Sequence, residues 1–183
     1  MKPITARINP NMITVASLLF AAVATYSIYS GELFIGIIFV GFAFAADALD
    51  GMVARAQGRA TQLGAYLDGM IDRIVEMFIL IAMMTLVWPY QWLGQLSILL
   101  LLCFGTFLTS FSKAYADHRK VLKQEEISKM GCVFERAPRV LLIFASLIIY
   151  VYNPLYSLYL LSAGGLLSIV AFFQRFWYVY EHS

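Results

Sequence analysis

The 183 residues of this chain are 61% hydrophobic and only 13% charged, and their mean hydropathy is +0.77. A soluble domain would carry about twice that charged fraction, so the composition excludes an ordinary water-soluble fold. The net charge is +2, and we expect no nucleic-acid partner. The length suits a single domain over residues 1–183, and the apolar residues form long blocks, which is typical of a multi-pass membrane protein.

Six apolar runs are long enough for membrane helices, each of which needs about 20 mostly apolar residues. In chain order they cover residues 12–30, 32–56, 62–88, 91–116, 137–153 and 154–176. Turn-forming residues such as Gly31, Gly58, Pro89 and Pro154 separate them. The sequence therefore predicts an all-α protein with six transmembrane helices. We expect the first helix to be retained, since no small-residue cleavage site follows it.

The orientation of these helices follows from the basic residues, which favour the cytoplasmic side of a membrane. All of them fall before the first helix, around the second and fourth connections, or near the end of the last helix: Lys2, Arg7, Arg55, Arg59, Arg73, Lys113, Arg119, Lys120, Lys123, Lys129, Arg136, Arg139 and Arg175. The opposite side has Glu32 as its only charge, beside an aromatic belt of Trp88, Tyr90 and Trp92. This distribution predicts a plasma-membrane protein with both termini in the cytoplasm.

The polar segment 117–131, between the fourth and fifth predicted helices, has mixed charge. It suits a short amphipathic helix on the cytoplasmic surface. For most of its charges, a solvated connector is the favoured interpretation.

Four aspartates stand near the cytoplasmic ends of the second and third helices. Asp47 and Asp50 are three residues apart, and Asp68 and Asp72 are four apart, so each pair lies on one helix face. The connection between the two helices is short, which favours antiparallel packing with the pairs facing each other. Glu76, one turn beyond Asp72, is expected to pair with Arg73 or to support the site.

Carboxylates this close repel one another and need cations to stay ionised. Oxygen ligands with no nearby His or Cys favour Mg²⁺, Mn²⁺ or Ca²⁺ over zinc. Four aspartates suit two bridged ions, a common arrangement for phosphoryl chemistry. A structural polar network or an ion pathway remains an alternative for carboxylates in a membrane.

The spacing of these residues carries a family resemblance. Asp47-x-x-Asp50-Gly51-x-x-Ala54-Arg55, eight residues, Gly64-x-x-x-Asp68-x-x-x-Asp72 resembles the complete signature of the CDP-alcohol phosphotransferase family. Six membrane helices and a chain of this length are also similar to that family. The resemblance covers essentially the whole chain.

The resemblance implies an enzyme that uses two Mg²⁺ or Mn²⁺ ions to transfer the phospholipid group of a CDP-linked lipid to an acceptor hydroxyl, with release of CMP. It implies metal ligands at Asp47, Asp50, Asp68 and Asp72, with Asp72 also the catalytic base. It further implies nucleotide-binding roles for Asn11, Thr14, Asp50, Gly51, Ala54, Arg55 and Gly64, and it suggests a homodimer. The lipid is diacylglycerol or archaeol.

The acceptor is indicated by the segment that opens the fifth helix. Arg136 and Arg139 are three residues apart and can present two guanidinium groups to one phosphate, with Lys113 and Arg119 as further candidates. With Glu135, they resemble the Glu-Arg-x-x-Arg element of members that use a phosphorylated polyol, notably phosphatidylinositol phosphate and archaetidylinositol phosphate synthases. Inositol phosphate is therefore the expected acceptor and glycerol 3-phosphate the alternative, although basic residues at a cytoplasmic helix end also satisfy topology alone.

A second class of function is an ion or metal transporter lined by carboxylates. A transport path needs polar residues through the membrane, whereas a transferase needs a pocket on one side. The outer halves of the helices, such as FILIAMMTLVW and LLIFASLIIYVY, are nearly without ionisable groups. This favours the enzyme.

Overall fold

The computed structural model describes the backbone of residues 10–56 and 61–183, and the side chains of these residues except at positions 10, 11, 50, 51 and 53–56. The described part of the chain is helical and contains no strand. It divides into two compact units, residues 1–86 and 87–183.

The first unit contains three helices: α1 (Pro10–Tyr29), α2 (Leu33–Ala56) and α3 (Gln62–Met84). Helix α1 packs along both of its neighbours, whereas α2 and α3 make fewer contacts with each other. Ala21 and Ala24 of α1 are fully buried, and such small side chains let helix backbones approach closely. The short connection predicts that α2 and α3 pack face to face. In the structure they contact each other over only part of their length, because α1 packs against both.

The turn between α1 and α2 depends on two glycines. Gly31 has a φ of 86°, a left-handed conformation that favours glycine. At Gly36 a Cβ atom would lie 2.5 Å from Cγ1 of Ile28, so a side chain there would separate the two helices.

The second unit begins with α4 (Gln91–Arg119), which is 29 residues long and includes an eight-residue π-helical segment, Leu101–Leu108. It continues with the short α5 (Gln124–Lys129), then α6 (Arg136–Tyr152) and α7 (Pro154–His182). Helix α7 packs against both α4 and α6. The carboxamide oxygen of Asn153 accepts hydrogen bonds from the backbone of Leu155 and Tyr156, and this N-cap with Pro154 starts α7.

Three of the described helices are long and apolar enough to cross a membrane by length and composition: Met12–Tyr29, Gln91–Arg119 and Pro154–His182. The other three long helices, α2, α3 and α6, are less apolar or shorter than this. In α2 the apolar stretch is Leu33–Leu49, α3 carries four charged residues between positions 68 and 76, and α6 has only 17 residues. The predicted segment 117–131 includes α5, which buries Ile127.

The start of α3 offers a test of helix capping. Thr61 is its N-cap, and its hydroxyl oxygen accepts a 3.0 Å hydrogen bond from the backbone N–H of Gly64. We expect Thr61→Ala to lower the free energy of unfolding by about 1 kcal/mol, measured by thermal unfolding of the purified protein in detergent. Thr61→Ser keeps the acceptor and should stay close to the wild type; equal losses in both variants would contradict this role.

Candidate functional site

The carboxylates of Asp47, Asp68 and Asp72 come together in the first unit. One carboxylate oxygen from each residue lies within 4.8 Å of the others. Asp72 is buried and the other two are half-buried. The structure therefore assembles three of the four predicted metal ligands; the side chain of Asp50 lies outside the described residues.

Helix α3 places two of these aspartates by its regular spacing. Its buried face includes Asp72, Val75, Glu76, Ile79 and Met83, which follow the three- and four-residue steps of a helix stripe. Asp72 and Glu76 thus continue an apolar face with carboxylates. Burying charge in this way is costly and marks a functional site by default.

A cation stands beside the cluster. Nη1 of Arg73 lies 3.6 Å from Oδ2 of Asp72 and donates a 2.6 Å hydrogen bond to the carbonyl oxygen of Gly69. This second bond fixes the direction of the arginine along its own helix. The pairing of Arg73 with Glu76 that the sequence suggests stays a prediction, and Glu76 itself is almost completely buried.

The donor set fits a hard divalent cation. Two oxygens bound to one Mg²⁺ at about 2.1 Å are at most about 4.2 Å apart, and the corresponding limit for Ca²⁺ is near 5 Å. Separations of up to 4.8 Å are thus close to what one ion requires, and they leave room for carboxylates that bridge two ions. Oxygen-only ligands agree with Mg²⁺ or Mn²⁺ chemistry.

Two of the predicted nucleotide residues lie at positions whose burial the structure describes. Thr14 is buried in α1, where its carbonyl oxygen accepts a 2.7 Å hydrogen bond from the hydroxyl of Ser17. Gly64 is half-buried in the first turn of α3. The side chains of the other predicted nucleotide residues lie outside the described residues: Asn11, Asp50, Gly51, Ala54 and Arg55.

The four predicted acceptor residues belong to the second unit and differ in burial. Arg139 is 3% exposed, while Arg136 and Lys113 are half-buried. Arg119 is exposed; its Nε donates to the hydroxyl of Tyr115 at 3.0 Å, and its guanidinium lies 5.2 Å from the centre of that ring. Arg139 is therefore the member of this set that the protein encloses, and Arg119 contacts its own helix.

Arg175 is a residue that the sequence analysis assigned to topology alone. Its Nη1 donates a 2.7 Å hydrogen bond to the carbonyl oxygen of Thr109, and its Nη2 lies 3.8 Å from Glu135, the N-cap of α6. It thus links α7 to α4 and to the start of the helix that carries Arg136 and Arg139. The available signal was a charge within the apolar final helix, which marks a functional-site candidate.

Comparison with known proteins agrees with this geometry. The CDP-alcohol phosphatidyltransferase family profile matches residues 7–177. The chain belongs to this family. It is therefore a phospholipid-biosynthesis transferase with membrane helices, and the family and the apolar helices together indicate an integral membrane protein.

The chain is similar to individual members of this family in sequence and in fold. The chain is 33% identical over 178 residues to archaetidylinositol phosphate synthase from Pyrococcus horikoshii, covering 95% of this chain and 83% of the relative. Its fold is similar to that of phosphatidylinositol phosphate synthase from Mycobacterium tuberculosis. The structure of that protein with manganese and citrate gives a TM-score of 0.79 at 22% identity, covering 94% of this chain and 83% of that one. Its structure with CDP-DAG bound gives 0.78 at 22% identity, covering 97% and 94%.

Proposed function

We propose that this protein transfers the phospholipid group of a CDP-linked lipid to a hydroxyl of inositol phosphate and releases CMP. The observation that carries the proposal is the cluster of Asp47, Asp68 and Asp72 inside a complete family signature. Inositol phosphate as acceptor is supported by a relative of nearly full length, the archaetidylinositol phosphate synthase. Membership of a transferase family leaves the transporter alternative without support.

The aspartates hold divalent ions in this proposal, two Mg²⁺ or Mn²⁺. Asp47, Asp50, Asp68 and Asp72 supply the oxygens, and the related Mycobacterium tuberculosis enzyme has a structure with manganese. When bound, the ions neutralise the donor pyrophosphate and stabilise the leaving CMP. Arg73 places a positive charge beside Asp72, which offsets part of the repulsion within the cluster.

Asp72 is the proposed base. Its carboxylate accepts the proton of the acceptor hydroxyl while that oxygen forms a bond to the lipid-linked phosphorus. The bond from the same phosphorus to the CMP oxygen breaks, and CMP leaves with that electron pair. The buried position of Asp72 shields this transfer from water, which would otherwise compete as acceptor.

The donor nucleotide is proposed to contact Asn11, Thr14, Asp50, Gly51, Ala54, Arg55 and Gly64. Their small or polar side chains suit a nucleotide that must lie against helix backbones. The lipid is diacylglycerol or archaeol. The first is supported by the CDP-DAG complex of the mycobacterial enzyme and the second by the archaeal relative.

The wider setting is proposed from the charge distribution and the family. Six transmembrane helices with both termini in the cytoplasm place the aspartates at the cytoplasmic side of the plasma membrane, where a water-soluble acceptor reaches them. A single domain over residues 1–183 is supported by the family match, which extends through both units. A homodimer is the expected assembly.

The reaction is tested by measuring CMP release from CDP-diacylglycerol and CDP-archaeol with Mg²⁺ or Mn²⁺. We expect release with inositol phosphate, and none with inositol, serine or glycerol 3-phosphate. Asp72→Asn should lower kcat by about 10²–10⁴-fold, whereas Asp117→Asn, an exposed residue of α4, should retain wild-type activity. Release with glycerol 3-phosphate alone would identify the other acceptor, and full activity of Asp72→Asn would refute the mechanism.

Metal binding is tested without turnover. Mn²⁺ at about 100 times its Kd should stabilise the wild type by about 2.7 kcal/mol, seen as a rise in Tm that a chelator reverses. Asp68→Asn should lose most of this rise because it removes a ligand, and Asp117→Asn should keep it. An equal rise in both variants would show that the ions bind elsewhere.

The acceptor arginines are tested through the two Michaelis constants. We expect Arg136→Ala and Arg139→Ala to raise the KM for inositol phosphate by at least about tenfold, since a guanidinium–phosphate contact contributes about 1.5–3 kcal/mol. The KM for the CDP-lipid should change little. Unchanged acceptor KM in both variants would assign these arginines to topology alone.

A further inference from the structure

The π-helical segment of α4, Leu101–Leu108, has hydrogen bonds that differ from those of an α-helix. The backbone N–H of Thr109 donates to the carbonyl oxygen of Phe104, five residues earlier, and the hydroxyl of Thr109 donates to the carbonyl oxygen of Gly105. Such segments are rare and often lie at functional sites. Within the described residues this segment is also where Arg139 of α6 and Ser168 of α7 meet α4.

Gly105 is the residue of this segment that lies against Arg139 and Ser168. A Cβ atom built on it would lie 2.8 Å from Cδ of Arg139, 2.8 Å from Oγ of Ser168 and 3.4 Å from Nε of Arg139. Approaches below 3.0 Å force a neighbour to move. Oγ of Ser168 is held by a 2.9 Å hydrogen bond to the carbonyl oxygen of Gly164, so both neighbours would have to shift to admit a methyl group.

The contact with Gly105 bears on function because of where it lies along the side chain of Arg139. Arg139 is 3% exposed, and its side chain crosses Gly105 at Cδ and Nε, the atoms from which the guanidinium extends. A shift there moves the whole guanidinium fork, and a bidentate contact tolerates little misplacement. We propose that Gly105 is a positioning residue for Arg139: the absence of a side chain in the π-helical segment sets where the guanidinium meets the acceptor phosphate.

This inference rests on the acceptor role proposed for Arg139 and adds a determinant on another helix. Gly105→Ala is expected to raise the KM for inositol phosphate about tenfold or more. The KM for the CDP-lipid and kcat at saturating acceptor should stay within about twofold, since the aspartates are unchanged. A merely structural role would lower the amount of active enzyme, and hence apparent kcat, without raising the acceptor KM.

Gly164→Ala is the matched control. Its added methyl would lie 2.9 Å from Cδ2 of Leu142 and 3.3 Å from Cδ2 of Leu101, so it crowds the same three helices against leucines and not against Arg139. We expect its acceptor KM to match the wild type, and Tm measurements on both variants report any loss of folding. A rise in acceptor KM of similar size in Gly164→Ala would overturn the proposal, because crowding alone would then suffice.

A double-mutant cycle assigns the effect to Arg139. In an Arg139→Ala background, Gly105→Ala should cause no further rise in acceptor KM, because the two changes act on one contact. A full additional rise would overturn the proposal. A normal acceptor KM in Gly105→Ala, with a raised one in Arg139→Ala, would overturn it while leaving the proposed acceptor site intact. A normal acceptor KM in Arg139→Ala would overturn this proposal and the acceptor role of Arg139, and the role of Arg136 is judged by its own variant. If the wild type accepts glycerol 3-phosphate alone, the same cycle is measured with that acceptor.

Discussion

The mutual repulsion of three carboxylates is the constraint on which the first unit depends. Oxygens of Asp47, Asp68 and Asp72 lie within 4.8 Å of one another on helices that are otherwise rich in apolar residues. At such separations like charges repel by several kcal/mol at an effective dielectric constant near 20. Cations offset this energy, and Arg73 supplies one positive charge. A divalent ion held by the three carboxylates would offset more of it and would also suit the pyrophosphate of the proposed donor.

The second unit has the opposite charge problem, because it buries arginines. Arg175 is accommodated by hydrogen bonding to the carbonyl oxygen of Thr109 and by its ion pair with Glu135. Arg139 packs against Gly105, where α4 is locally π-helical and has no side chain in the way. Each buried cation thus has a feature of α4 beside it.

The elements that follow from local rules were predictable. The apolar runs place the six long helices within a few residues of their ends, apart from the longer final helix, because Gly31, Pro89 and the Asn153–Pro154 pair interrupt them chemically. The aspartate cluster was predictable because three- and four-residue spacings fix a helix face. The packing of α1 against both α2 and α3 was not predictable. It depends on the small buried side chains of Ala21 and Ala24 in α1. The role of Arg175 was missed because its partners lie 40 or more residues away in the chain.

This difference bears on how a family of this kind can vary its acceptor. The aspartate signature lies within 26 consecutive positions of two adjacent helices, so it is encoded locally. The surroundings of Arg139 combine α4, α6 and α7, and a π-helical segment has no periodic pattern that reports it. One methyl group at position 105 would change the environment of that arginine without touching an aspartate. On the proposal that Arg139 binds the acceptor phosphate, the motif indicates the donor chemistry, whereas the acceptor site depends on packing between distant segments, which a motif does not record.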